Sequence, residues 1–495
     1  MLFNSFTYLV FLPVVVALYW LLPKVCRRGL LLIASYIFYM NWMPAYGLLI
    51  LTLTVVNYLL GRCIAAWQSR RKLILAIGLI FNLGCLCFYK YANFLIDSLF
   101  QSSSWLHNKL GLPLPVPVNE PVLNIILPLG ISFFTFEFIH YITDVYRGSQ
   151  PVKNFWNFAL FAAFFPSQIA GPIKRFQDFM KQLLDEPVFK KSSFQAGLFL
   201  IFQGLFKKIV LGDNLGQIVN AGFTHLDKLG TADAWVAVIG FQLQIFFDFS
   251  GYTDIGRGSA LLFGYKVPEN FNWPFLASNL TEFWRRWHMS LSTWLRDYLF
   301  IPLGGSRGGA WKTMRNVFLT MVLGGLWHGA AWHYVIWGAF HGAILVVTKE
   351  WQDLVARVSW LARIRPHPVW HWGGVVTTWF LLFMAGILFR SDNMPHAVTM
   401  AAKLFIPAHS ATVIEMFLLS TLPVSLSLYV VFLLCSRWRE SAPSLQPGAA
   451  TPLLSRLNLW CRSSMPFQIV VYACLSIIIL GFAPGKMEPF IYFQF

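Results

Sequence analysis

Apolar residues run in long blocks separated by short polar clusters, and this alternation predicts a helical membrane protein. A helix needs about 20 apolar residues to cross a bilayer, so the blocks predict about eleven transmembrane helices, with re-entrant and interfacial helices besides. The fold class is therefore an all-α polytopic membrane protein. The candidate spans are residues 5–22, 29–43, 45–60, 73–98, 122–142, 194–211, 233–250, 314–327, 331–348, 372–390, 412–435 and 466–484.

One apolar block, residues 155–173, predicts a re-entrant segment and not a span. Pro166, Gly171 and Pro172 interrupt the helical pattern there. Irregular backbone at membrane depth is tolerated only where protein or a water-filled cavity surrounds it. We therefore expect this segment to be buried within the helix bundle.

The composition supports the same class. The chain of 495 residues is 57% hydrophobic and 12% charged, with a mean hydropathy of +0.58, whereas soluble proteins carry about 25% charged residues. The net charge of +17 is divided among short clusters between apolar blocks, which argues against nucleic-acid binding and for contact with anionic membrane lipids. These clusters are Lys24/Arg27/Arg28, Arg70/Arg71/Lys72, Lys174/Arg175 and Arg357/Arg363/Arg365.

The positive-inside rule orients the chain. If residues 24–28, 62–72 and 349–365 are cytoplasmic, the N-terminus and the 101–120 loop lie outside. The C-terminal residues 488–495 then also lie outside. We interpret the chain as a single transmembrane domain, 1–495. It has N-terminal helices in 1–115, a motif-bearing core in 120–350, and C-terminal helices in 351–495 with a cytoplasmic linker at 436–463.

The segment Asn316–Thr348 holds the best clue to an active site. It contains no Asp, Glu, Lys or Arg, yet it carries His328, His333 and His341. Titratable groups are costly at lipid depth and tend to mark pathways or chemistry, and histidine exchanges protons near neutral pH. We expect a break at Gly324-Gly325 or Gly329, giving two half-embedded helices that meet near His328.

The three histidines carry different weight. His333, Trp337 and His341 share one helical face. For His333 and His341 we favour the interpretation that they are core residues hydrogen-bonded to backbone. His328 is flanked by Gly325 and Gly329, which carry no side chain and would allow substrates to approach the backbone.

The segment after Thr281 predicts one amphipathic helix over residues 281–298. Trp284, Trp287, Leu291, Trp294 and Tyr298 form an apolar stripe by spacings of three and four. Arg285, His288, Ser292 and Arg296 recur on another face. This helix either lies in the membrane interface or places its cationic edge at a polar tunnel mouth, where a phosphate-bearing donor could bind.

Asp248 and Asp254 lie in another apolar run and need partners if they are buried. A histidine, Arg257 or an arginine of residues 281–298 is a candidate partner, and an internal salt bridge is a simpler explanation than catalysis. We expect no metal site, because the apolar histidines have no carboxylates close to them in sequence.

Several motifs together resemble the membrane-bound O-acyltransferase family, and its bacterial alginate O-acetyltransferase branch in particular. The resemblance runs almost end to end and is weakest at 350–465. The matching segments are 1–6, 88–94, 127–133, 169–173, Trp287–Ser292, Arg296–Gly305, Gly324–Ala330 and Phe490–Phe495.

The resemblance implies a helix bundle around a through-membrane tunnel, with His328 and His288 as the catalytic pair. It implies acetyl transfer in the bacterial inner membrane, from acetyl-CoA or another cytosolic thioester towards an exported polysaccharide such as alginate or cellulose, with no bound cofactor. The implied partners are periplasmic acetylation proteins and a polysaccharide synthase complex. The donor- or tunnel-lining candidates are Trp327, Gly329, Arg285, Ser292, Arg296, Asp248, Asp254 and His333.

Three questions stay open at this level. The family's teichoic-acid branch makes D-alanyl transfer an alternative, and a transporter or pore built on the two aspartates and the histidines is a further one. A transporter would predict paired interrupted helices in the two halves of the chain, and only one break bears histidines. His328 can act as a base or as a nucleophile that becomes acylated.

We also expect a periplasmic partner to dock on exposed loops or on an exposed Phe490–Phe495.

Overall fold

A computed structural model describes residues 1–110, 122–169, 171–185, 187–430, 465–485 and 488–491. Over these residues the regular structure is helical, apart from one isolated bridge between Phe271 and Trp287. This confirms the predicted fold class, an all-α polytopic membrane protein. The predicted linker at 436–463 lies outside the described residues.

The first helices are α1 (Phe6–Leu21), α2 (Lys24–Met40), α3 (Ala45–Ala66), α4 (Arg71–Leu86), α5 (Ala92–Leu110), α6 (Ile131–Tyr146), α7 (Phe155–Ala163), α8 (Phe165–Gln168), α9 (Phe176–Leu184), α10 (Lys191–Leu205) and α11 (Asn214–Thr224). The remaining helices are α12 (Thr231–Leu262), α13 (Leu280–Arg286), α14 (Met289–Leu295), α15 (Ala310–His328), α16 (Trp332–Arg357), α17 (Ser359–Ile364), α18 (Pro368–Arg390), α19 (Met394–Lys403), α20 (Thr412–Leu419), α21 (Leu422–Val430) and α22 (Met465–Gly481). Short π-helical segments at Cys87–Tyr91, Phe206–Asp213 and Arg296–Phe300 follow α4, α10 and α14.

Among the described residues, five continuous helices are long and apolar enough to span a membrane, and the bent pair α20–α21 can be counted as a sixth. The five are Ala45–Ala66, Arg71–Leu110, Lys191–Thr224, Thr231–Leu262 and Pro368–Arg390. The predicted count of about eleven is not reached by this criterion, because several predicted spans form shorter or more polar helices. The first part of the predicted 101–120 loop is helical, since α5 continues to Leu110.

The described residues form two compact units. The first unit comprises described residues of 1–197 and 256–397, and the second comprises those of 198–255 and 398–491. Each unit draws on more than one of the three segments predicted from the sequence. The unit that contains His328 and His288 is the first.

Within the first unit, α15 and α16 cross with their backbones in contact. A Cβ atom on Gly325 would lie 2.3 Å from the carbonyl oxygen of Tyr334, and one on Gly338 would lie 2.4 Å from that of Met321. Real side chains never approach so closely, so only glycine fits at this crossing. Small residues allow the same close approach between membrane helices in general. The pair forms a rigid support for the segment that joins the two helices.

The predicted re-entrant segment forms the short helices α7 and α8, with a break at Phe164. Phe164, Phe165 and Ile169 are almost completely buried within the first unit. The interruption and burial expected from Pro166 and Gly171 are therefore observed. Gly171 packs so tightly that a Cβ atom would lie 2.3 Å from the Cα atom of Ser167.

The second unit buries a cluster of lysine and aspartate side chains, which we call the lysine–aspartate cluster. Lys208 lies 2.5 Å from Asp213 and 2.6 Å from Asp248, and Lys207 lies 2.7 Å from Asp254. Asp248 and Asp254 are thus held in salt bridges, which was the simpler of the two sequence interpretations. Among the described residues their salt-bridge partners are lysines, and not the histidine or arginine partners expected from the sequence.

The chain segment 488–491 is anchored in this second unit. The Ile491 amide donates to Asp248 Oδ2 over 2.7 Å, Lys208 donates to the Glu488 carbonyl over 3.0 Å, and the Phe490 ring stacks on Tyr252. Phe490 is 1% exposed. The expectation that this segment forms an exposed docking surface is wrong for Phe490 and Ile491, while residues 492–495 lie outside the described residues.

Candidate active site

His328 is the last residue of α15, directly before the break that the sequence predicted. Gly329 adopts extended backbone geometry, and α16 begins three residues later at Trp332. The break is at Gly329, whereas Gly324 and Gly325 remain helical. A Cβ atom on Gly329 would lie 2.0 Å from the Tyr334 ring. Gly325 and Gly329 are thus in contact with the protein itself, and the expectation that they leave room for substrate is wrong.

A cavity of about 180 Å³ opens at His328. Its polar lining brings together three predicted site residues, His328, Ser292 and Arg296. The rest of the lining is mainly apolar and comes from α13, α14, α15 and α16, including Trp284 and Trp337. A cavity with apolar walls and a few converging polar groups is the usual form of a small-molecule site.

Trp327 links the two predicted catalytic histidines. Its indole ring centre lies 5.0 Å from that of His328 and 6.3 Å from that of His288. Phe136 stacks on the same indole at 5.2 Å and on Trp294 at 3.7 Å. Both imidazoles therefore make edge contacts with one indole, which is itself stacked on Phe136, although 40 residues of sequence separate them.

His288 interrupts the predicted helix 281–298, so the prediction of one continuous helix is wrong. Helix α13 ends at Arg286 and α14 begins at Met289. His288 has a left-handed φ of 43°, and Asn270 accepts from the Met289 amide over 3.0 Å and from the Ser290 amide over 3.2 Å. These contacts from a distant segment hold a break that local periodicity does not reveal.

The conformation of His288 is unusual. Among the described residues, only Trp273 and His288 combine a side chain with a positive φ. Such geometry costs about 1–3 kcal/mol and tends to occur at functional sites. His288 is fully buried, and burial lowers the pKa of its imidazole to about 3. The ring is therefore neutral at physiological pH.

The turn that carries Arg296 is fixed by a polar network. Asp297 accepts from Arg296 over 2.8 Å and from Arg175 over 2.7 Å. Tyr298 donates to Asp144 over 2.8 Å and also bonds Arg175. Arg296 itself keeps 60% of its side chain exposed, so it is available at the cavity wall.

Two side chains that sequence reasoning did not single out hold the end of α15. Lys90 Nζ donates to the carbonyls of Trp327 over 2.7 Å and of His328 over 2.9 Å, and Tyr91 donates to the carbonyl of Leu326 over 2.9 Å. Both residues belong to the π-helical turn Cys87–Tyr91. The sequence signals at this position are a lysine inside an apolar run and its place in the family-matching segment 88–94.

The remaining candidates lie away from the cavity lining. His333 Nδ1 lies 3.1 Å from the carbonyl oxygen of Leu388, and its ring packs on Tyr334, which fits the core interpretation. His341 is buried against Trp337 and Trp284. Arg285 is exposed and belongs to α13, before the break at His288. The predicted cationic face is therefore divided between two helices.

Comparison with known proteins identifies the family to which the chain belongs. Residues 149–391 match the membrane-bound O-acyltransferase family. The probable alginate O-acetylase AlgI of Azotobacter vinelandii is 42% identical over 82% of this chain and 78% of its own length. The peptidoglycan O-acetyltransferase of Helicobacter pylori is 33% identical over 80% and 78%. The teichoic acid D-alanyltransferase of Bacillus subtilis is 32% identical over 53% and 68%.

The chain therefore belongs to the membrane-bound O-acyltransferase family, as its motifs predicted. It is a multi-pass membrane acyltransferase. Both histidines and the cavity fall within residues 149–391, the part that matches the family.

Proposed function

We propose that the chain is the transmembrane O-acetyltransferase component of an exopolysaccharide acetylation system, of alginate or cellulose type, in the bacterial inner membrane. The observation that carries this proposal is the cavity that joins His328 to Ser292 and Arg296. It lies in a chain 42% identical to a probable alginate O-acetylase over most of its length. Alginate is the polymer named for that relative, and its acetylation by this chain is part of the proposal.

His328 is the proposed general base. An acceptor hydroxyl attacks the carbonyl carbon of an acetyl thioester, and His328 takes the hydroxyl proton as the new C–O bond forms. The C–S bond then breaks, and the proton passes to the departing thiolate. A positioned base of this kind contributes about 10²–10⁴-fold to the rate. A covalent acetyl-His328 is the alternative route, and mass spectrometry of single-turnover samples distinguishes the two.

His288 is proposed to act as a neutral hydrogen-bond donor. A neutral imidazole carries one N–H group, which can stabilise the oxygen that gains negative charge in the transition state. Fixed donors at such an oxygen are usually worth more than any other single catalytic term. The edge contact with Trp327 and the left-handed backbone hold the ring in place.

The proposed donor is acetyl-CoA or another acyl thioester from the cytosol. Arg296 is exposed at the cavity wall and presents a guanidinium that pairs readily with phosphate groups. No step needs a bound cofactor. The proposed partners are periplasmic acetylation proteins and the polysaccharide synthase complex, which would carry the acetyl group onto the polymer.

The competing acyl group is D-alanine. A teichoic acid D-alanyltransferase matches about half of this chain, whereas the alginate and peptidoglycan O-acetylating relatives match about four fifths. We therefore favour acetyl. The mass of the group attached to the cell's polymer separates the two, because alanyl and acetyl esters differ in both mass and charge.

The decisive experiment is polymer acetylation in cells that carry His328→Ala. We expect acetyl groups to disappear while polymer yield and protein accumulation persist. His333→Ala is the matched control, since it removes a buried histidine that bonds backbone outside the cavity. Wild-type acetylation by His328→Ala would reject His328 as the base, and equal loss in both variants would indicate damage to the bundle.

A further inference from the structure

The end of α15 needs partners that the helix itself does not provide. The last carbonyls of any helix have no intrahelical amide to accept from. At α15 the carbonyls of residues 326–328 are met by Tyr91 and Lys90, at 2.9, 2.7 and 2.9 Å. His328 is the terminal residue, so these contacts fix the backbone from which the catalytic imidazole extends.

Lys90 is an unusual choice of partner. Its ammonium lies 5.9 Å from the centre of the Trp327 ring, and the described residues provide it with no carboxylate partner. An ionisable side chain in an apolar segment is costly and marks function by default. A cation at a helix C-terminus does interact favourably with the helix dipole. The contacts of Lys90 thus point only to the backbone beside His328.

We propose that Lys90 is a positioning residue of the acyl-transfer site, and that its bonds to the end of α15 set the orientation of His328. This inference rests on the proposed function. The geometry also gives a reason for the π-helical turn Cys87–Tyr91. The turn presents two successive side chains, Lys90 and Tyr91, to three successive carbonyls. Tyr91 has the smaller part, because its hydroxyl holds one carbonyl, two residues before His328.

The test uses the full-length protein in lipid vesicles with labelled acetyl-CoA as the donor. Lys90→Met keeps an unbranched apolar side chain and removes the donor group. We expect kcat to fall about 10²-fold, the scale of a 1 Å misplacement of a reacting group. The KM for acetyl-CoA should stay unchanged, because donor binding is not the step affected. Lys90→Arg keeps a cationic donor and should restore part of the lost kcat.

The matched control is Lys72→Met, which removes an exposed lysine near the start of α4. Unchanged kcat in Lys90→Met, or a change confined to thermal stability, would overturn the positioning role. If Lys90→Met does not accumulate, Lys90→Arg and Tyr91→Phe carry the test, and wild-type kcat in both would overturn it. Transfer that is absent from the wild type, or that persists in His328→Ala, would instead reject the proposed function.

Discussion

Two regions of this protein bury ionisable side chains, and they do so in opposite ways. In the second unit, Lys207 and Lys208 lie 2.5–2.7 Å from aspartates, so each buried charge has a partner of opposite sign within the protein. In the first unit, His328 and His288 lie against the indole of Trp327, and His328 faces a cavity. The contrast teaches that burial alone does not mark chemistry. A buried titratable group indicates chemistry when its neighbours leave it facing space that a substrate can fill.

The largest effect on stability is expected from a substitution at Lys208. Lys208→Met leaves Asp213 and Asp248 without their shared cation, and such a loss costs about 3–5 kcal/mol. We expect the thermal midpoint in detergent to fall steeply, together with the amount of folded protein. Lys228→Met is the control, because Lys228 is exposed in the same unit. A midpoint equal to that of the control would mean that the lysine–aspartate cluster does not stabilise the second unit.

Gly325→Ala tests the support of the site. The added methyl group would overlap the Tyr334 carbonyl, so the two helices must separate, at a cost of about 1–3 kcal/mol. Both the unfolding temperature and acetyl transfer should decrease. Gly29→Ala, in α2, meets nothing within 4 Å and should be neutral or slightly stabilising. Equal behaviour of the two variants would contradict the close crossing of α15 and α16.

Substitutions at His288 separate its chemistry from its backbone geometry. Asn tolerates left-handed backbone and Ala does not, so His288→Asn should be about 1 kcal/mol more stable than His288→Ala. Both should lose acetyl transfer, as measured on the polymer. An active His288→Asn would show that the backbone turn matters and the imidazole does not.

His288 also gives a pH prediction. Burial lowers the pKa of its imidazole from 6.5 to about 3, so below pH 6.5 the unfolded chain binds a proton that the folded chain does not. The stability of the wild type relative to His288→Asn should therefore decrease as the pH falls from 6.5 towards 3. Chemical unfolding of both proteins at pH 7 and pH 5 measures this. A difference independent of pH would contradict a neutral, buried His288.

The smallest effect is expected at Arg285. Its side chain is exposed and does not line the cavity. Arg285→Ala should change stability by no more than about 0.5 kcal/mol and leave acetylation unchanged. Arg296→Ala should reduce acetylation at limiting donor, because Arg296 reaches the cavity. A larger loss of acetylation in Arg285→Ala than in Arg296→Ala would instead support the single cationic face that the sequence pattern predicted.

Local sequence patterns predicted the helical class, the break beside His328 and the burial around Pro166, because each depends on neighbours in the chain. The break at His288 was missed, since Asn270 holds it from another segment. The partners of Asp248 and Asp254 were misassigned because Lys208 and Lys207 lie 40 and 47 positions before them in the chain. Lys90 was overlooked because nothing in its own segment shows which carbonyls it meets.

The glycine crossing of α15 and α16 determines where this enzyme can be redesigned. An added methyl group at Gly325 or Gly338 would overlap backbone, so these two positions, which lie outside the cavity lining, cannot be varied. The cavity lining itself is built mainly from ordinary side chains, among them Leu291 and Leu295 of α14. Attempts to change the length of the transferred acyl chain should therefore vary α14 and keep Gly325 and Gly338 constant.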